Sequence, residues 1–180
     1  MQVIFRRIAL DRHVTEIRLG GPAERRVELS TVVVGGPVDD DLEQLLPGDM
    51  LQLIVEMNWS LGDGVYGAVA FGRDPRTERP LDRAFRSHTA PTSRSGRTVR
   101  HVGGRDLARS LQLVDIIDTR WRQRHAGHLP VLYSDDVLEA GGATENEIQT
   151  CLRAADLAAA RWREAGVGGT VSYHWPALIA

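Results

Sequence analysis

Residues 144–175, TENEIQTCLRAADLAAARWREAGVGGTVSYHW, change their hydrophobic period once, from helical to alternating, and that change decides the fold class. The opening Thr-Glu-Asn-Glu is a capping box, in which Thr144 and Glu147 each satisfy a backbone amide of the other. At 100° per residue, Ile148, Cys151, Leu152, Ala155, Ala159 and Trp162 fall on one apolar face, so 144–165 predicts a helix. Gly166 stops it. Beyond that stop, Val171, Tyr173 and Trp175 alternate with Ser172 and His174, which predicts a returning strand over 169–175.

Upstream, residues 105–126 predict a second long helix. It starts after Gly103-Gly104, places Asp106 in its first turn and ends with Arg120, Arg122, Arg124 and His125 before Gly127, as the helix dipole favours. Leu107, Leu111, Val114, Ile117 and Trp121 define its apolar face. The first 72 residues read as β. Residues 2–10 are apolar and β-branched, and 14–19 and 27–34 alternate, with Gly20-Gly21-Pro22 and Gly35-Gly36-Pro37 as turns. A short acidic helix follows, led by Asp39–Asp41 and closed by Pro47-Gly48. Residues 50–58 fit both periods. The preceding Pro-Gly-Asp turn favours a strand, closed through Ser60–Gly64 into a hairpin with a Gly-rich strand at 65–72. The predicted architecture is α+β: a mostly antiparallel N-terminal sheet packed against two C-terminal helices, with a final returning strand. One domain would span 1–180, with a β-rich region over 1–72, an arginine-rich loop over 73–104 and a helical half with terminal strand over 105–180.

The chain has 180 residues, 42% hydrophobic and 26% charged, enough to bury about 70% of its unfolded surface. That composition excludes disorder and fibres as the overall class. No apolar run approaches the ~20 residues of a membrane span, and Arg6, Arg7 and Asp11 interrupt the N-terminal apolar stretch. A cytoplasmic protein without membrane association is the expectation. The single cysteine, Cys151, makes no internal disulfide or thiolate zinc site, and its place on an apolar face marks it as a small core hydrophobe. All 22 basic side chains are arginine, so Schiff-base lysine chemistry and P-loop nucleotide hydrolysis are excluded. Neither a metal nor a cofactor is called for, because His125 and His128 straddle a helix end without the further ligand turn of zinc enzymes.

The net charge of −2 conceals a segregation of sign. Residues 73–109 carry ten arginines against four acids, a balance of +6, while the remainder holds twelve arginines against twenty acids, a balance of −8. Within that basic segment Ser93, Arg94, Ser95 and Arg97, around Gly96, combine hydroxyls, exposed amides and guanidinium forks suited to phosphate. His101, Gly103, Gly104 and Arg105 then lead into a helix start whose first amides lack partners. These residues predict a site for an anionic, phosphate-bearing ligand, either a small molecule or nucleic acid. Phe85 is the only aromatic residue among the arginines, which weakens the single-strand nucleic-acid case. Simple neutralisation of the acidic body accounts for the same arginines equally well.

A second class is a cofactor-independent acid–base enzyme, a lyase, isomerase or hydrolase. Asp118 and His125 project toward the apolar face of helix 105–126, where burial would tune them as acid and base. Seven residues separate them, about 10 Å along the axis, too far to touch. The plainer reading pairs Asp118 with Arg122 at i,i+4 and leaves His125 at the helix end. A third class is an assembly subunit whose basic segment docks on an acidic protein partner.

Overall fold

Among the described residues, four strands form one antiparallel sheet. β1 (Gln2–Ala9) pairs with β2 (Arg12–Leu19), and β3 (Arg25–Leu29) lies outside β2. β4 (Thr170–His174) returns to the free side of β1, giving the order β3-β2-β1-β4. The computed structural model describes residues 1–10, 12–19, 25–29, 46–73, 105–126 and 142–175. The acidic stretch read as a short helix, and residues 30–34 of the third predicted strand, lie outside the described residues.

Period-2 alternation sets the inner face of the sheet. Val3 and Phe5 of β1, Ile17 of β2 and Val171 of β4 are buried there, in strands whose registers place Val3 opposite Ile17 and Phe5 opposite Val171. On the opposite face Glu16 is buried and accepts a hydrogen bond from Arg18 Nε at 2.6 Å.

Among the described residues, four helices accompany the sheet: α1 (Gly48–Asn58), α2 (Val65–Ala70), α3 (Arg105–Ala126) and α4 (Glu145–Ala165). α3 and α4 match the two long helices expected from the sequence. The capping box of Thr144 and Glu147 is formed, and Gly166 ends α4 with φ +62°, a conformation that glycine adopts without strain. All six residues of the apolar face assigned to α4 are buried.

Two segments read as strands are helices. Residues 50–58 belong to α1, and 65–70 to α2, so the hairpin through Ser60–Gly64 does not form and 1–72 is not β-rich throughout. The reason for the first is position. α1 packs against both α3 and α4, and Tyr173 and Thr15 of the sheet reach its first turn. Consequently Met50, Leu51, Leu53, Ile54, Val55 and Glu56 are all buried, and a helix enclosed on most sides carries no single polar face to betray its period. The Pro-Gly-Asp sequence is its start: Pro47 is the N-cap and Leu51 N–H donates to Pro47 O at 3.0 Å.

One hydrophobic cluster extends from Val3 to Trp175, including Phe5, Met50, Tyr66, Trp121 and Trp162. On α3 the buried stripe is shifted from the predicted face: Leu107, Ile117 and Trp121 are buried as expected, Leu111 and Val114 are only half-buried, and Leu113 and Ile116 are fully buried, because α3 meets both α1 and α4. The fold is α+β. Among the described residues no helix is long and apolar enough to cross a membrane.

Candidate functional site

Ser93, Arg94, Ser95, Arg97, His101, Gly103 and Gly104 lie outside the described residues. Arg105 is the first residue of α3, so the 22-residue helix opens directly behind the two glycines. Asp118 is half-exposed, at 36% of its side chain, and Arg122 Nε donates to its Oδ2 at 2.8 Å. His125 sits in the last turn of α3, stacked against Trp121 with ring centres 4.4 Å apart. Its Nε2 lies 2.9 Å from Asp156 Oδ1 of α4. Trp121 Nε1 donates to the same carboxylate at 2.9 Å and Arg124 at 3.3 Å, so Asp156 gathers the end of α3 onto α4. Asp118 and His125 therefore have separate partners, Arg122 and Asp156.

A polar cluster that no sequence motif marks lies under the inner face of the sheet. Arg7, His13 and Thr15 occupy inward positions of β1 and β2 and are buried. Asp49, in the first turn of α1, receives His13 and Thr15: its Oδ1 is 2.7 Å from His13 Nε2 and its Oδ2 accepts from the Thr15 hydroxyl at 2.5 Å, while Arg7 donates to the Leu10 carbonyl at 3.2 Å. Met50 N–H also donates to Oδ1 at 3.0 Å, and the Tyr66 hydroxyl donates to the Asp49 carbonyl at 3.0 Å. Trp162 of α4 closes this region. Its ring meets the edge of His13 at 5.9 Å and lies 5.4 Å from the Arg7 guanidinium carbon, within cation–π range. Burial strengthens each hydrogen bond to the carboxylate, and a carboxylate facing Nε2 selects the ring tautomer that donates from that nitrogen. The signal was present as parity: Arg7 shares a face with Val3 and Phe5, and His13 and Thr15 share one with Ile17. The partner Asp49, 36 residues from His13, carried no such signal.

A second buried polar site centres on Glu56, fully inaccessible near the end of α1. Its Oε1 accepts from Val65 N–H at 2.7 Å, Ser110 Oγ at 2.9 Å and Gln52 Nε2 at 3.1 Å. Its Oε2 accepts from Tyr66 N–H at 2.8 Å and Gly67 N–H at 3.3 Å. The carboxylate thus takes the first three amides of α2, which have no partners within that helix. Burial pushes the Glu56 carboxyl above its ordinary value, with the Ser110, Val65, Tyr66 and Gln52 hydrogen bonds opposing it. This geometry is that of a structural cap. Such a cap also explains why a Gly-containing stretch, VYGAVA, is helical.

Cys151 is buried, and burial pushes its thiol up to about 12. That removes the thiolate a nucleophile requires. Among the described residues no group of three or more His, Cys, Asp or Glu side chains is placed to hold a metal ion. No protein-family model, curated protein or solved structure matches this chain.

Proposed function

We propose that this protein binds a small anionic, phosphate-bearing ligand through residues 92–106. Arg94, Arg97 and Arg105 would supply charge, and Ser93, Ser95, His101 and the Gly103-Gly104 backbone would supply donors. The observation that carries this reading is the segregation of charge, +6 over 73–109 against −8 elsewhere. The start of α3 supports it: a long helix begins at Arg105, and the positive end of a helix dipole favours a nearby anion.

The test is a titration of wild-type protein and the Arg94→Ala/Arg97→Ala/Arg105→Ala triple variant with inorganic phosphate, nucleotides, duplex DNA and RNA. A small ligand on two or three guanidiniums should bind wild type with a shallow salt dependence and lose the triple variant. Duplex nucleic acid on six or more arginines should weaken about a thousandfold between 50 and 200 mM salt. Equal behaviour of the two proteins toward every ligand refutes the site.

A second reading, acid–base chemistry without a cofactor, draws support from the His13–Asp49 pair rather than from Asp118 and His125. His13 Nε2 and Asp49 Oδ1, 2.7 Å apart at the edge of the core, have the oriented imidazole–carboxylate geometry of a general base. Rapid modification of His13 by diethylpyrocarbonate in the native protein supports this reading. Protection until unfolding assigns the pair to structure alone.

A further inference from the structure

An open groove of about 260 Å³ lies between α1, α4 and β4. We propose that it is a binding site for a small amphipathic carboxylate, an acyl chain bearing one anionic head. The proposal is independent of the arginine segment and of the His13–Asp49 pair.

The walls are apolar for reasons visible in both helices. Ile54 and Met57 sit one turn apart on α1, while Ala154 and Ala158 sit one turn apart on α4. The two alanines keep the groove open where larger side chains would close it. Ile54 and Ala158 are almost fully buried and form the floor, and Met57 is an unbranched thioether that adapts to an irregular occupant. Leu157, 54% exposed, leaves an apolar edge facing water at the mouth. Burying that edge and the floor favours an apolar body, and the volume lies below the usual range for drug-sized ligands.

Among the described residues, the polar side chains of the groove are Asn58, Arg161 and Tyr173, and Arg161 is the only charged one and forms no ion pair. Arg161 and Tyr173 line the same groove, and the guanidinium opposes the upward push of burial on the Tyr173 phenol, whose hydroxyl reaches Met50 Sδ at 3.9 Å. One cation with neutral donors balances a single negative charge. A phosphate dianion would leave a second charge against apolar walls without compensation. A monocarboxylate on an acyl chain matches both the lining and the charge.

Decanoate is the probe and decanol its uncharged control, read by the methyl signals of protein labelled with [13C-methyl]methionine. Decanoate should shift the Met57 signal saturably, at concentrations below its micelle threshold, and decanol should bind more weakly. Arg161→Gln should weaken decanoate about fivefold and leave decanol unchanged. Ala154→Trp should abolish the shift for both ligands; Ala154 is exposed, so the fold persists, as an unmoved Met50 signal in that variant would verify. A Met57 signal that decanoate does not move overturns the site. Decanol binding as tightly as decanoate, or unchanged decanoate affinity in Arg161→Gln, overturns the assignment of the ligand class.

Discussion

The Ser110 hydroxyl donates to Glu56 Oε1 across 2.9 Å, joining the middle of the core to a helix cap: Ser110 lies on α3, Glu56 on α1, and the same carboxylate holds the start of α2. Both side chains are fully buried. Three helices therefore depend on one carboxylate with five donors.

Removing that carboxylate should be the most damaging single change in the α1–α2 region. Glu56→Ala takes the acceptor from three buried donors (Tyr66 N–H, Gly67 N–H and Ser110 Oγ) and two half-buried ones, and should cost about 3–5 kcal/mol, a fall of roughly 10 °C in melting temperature. Glu56→Gln keeps one acceptor but turns an amide donor toward other donors, and should cost less than alanine. Ser110→Ala removes one donor only and should cost about 1 kcal/mol. Chemical denaturation of the three variants checks the order.

The pH dependence of Glu56 has a definite sign. Its folded value is raised above 4.5 by burial, so between those values the native protein holds a proton that the unfolded chain has released. The stability from this group is complete below 4.5 and is lost as pH rises through the raised folded value. Glu145 and Glu147 act in the opposite sense. Their carboxyls are lowered, by Gln149 and Arg120 for one and by Thr144 for the other, so their contribution is present above 4.5 and lost as pH falls through the folded values. The difference in unfolding free energy between wild type and Glu56→Gln, measured from pH 4 to 8, should isolate the first effect.

Gly64 should tolerate no side chain. A Cβ there would lie 2.4 Å from the Glu56 carboxyl carbon, so Gly64→Ala must displace the cap of α2. A loss of about 1–3 kcal/mol is expected, against a few tenths for a substitution at exposed Arg153. Equal stability of the two variants would contradict the close approach.

The Cys151 thiol should react with a thiol reagent only on unfolding. Its folded value of about 12 exceeds the ordinary 9.0, so stability from this group is complete below pH 9 and lost as pH rises toward 12, by about 1.4 kcal/mol per unit. Cys151→Ala should flatten the alkaline limb of the stability profile.

Asp118→Asn should change stability by less than about 0.5 kcal/mol, because the carboxylate is one-third exposed and its Arg122 partner lies one turn away. Thermal unfolding of the variant beside wild type decides this. A large loss would place Asp118 in a buried network instead.

Local features carried the two long helices and the sheet. α4 has its capping box, its apolar stripe and its stop glycine within its own residues; β1 shows an apolar, β-branched run, and β2 and β4 show alternation because one face of each meets the core. The Asp118–Arg122 pair was equally legible, since i,i+4 neighbours meet on any helix. The inward parity of Arg7, His13 and Thr15 was also written in the chain, although their partners, Asp49 for His13 and Thr15 and Trp162 for Arg7, were not.

What the sequence determined by itself was every element whose signals are local and whose surface is divided between core and water. Only the tertiary structure decided α1 and α2. α1 is enclosed by the sheet, α3 and α4, so its apolar residues follow no single period. α2 is a short, Gly-containing segment whose first amides are satisfied by Glu56, nine to eleven residues upstream. The same holds for the meeting of His13 with Asp49 and of His125 with Asp156, across 36 and 31 residues. Burial energy is non-directional and hydrogen-bond partners are chosen by proximity after packing, so neither leaves a trace in the spacing of neighbouring residues.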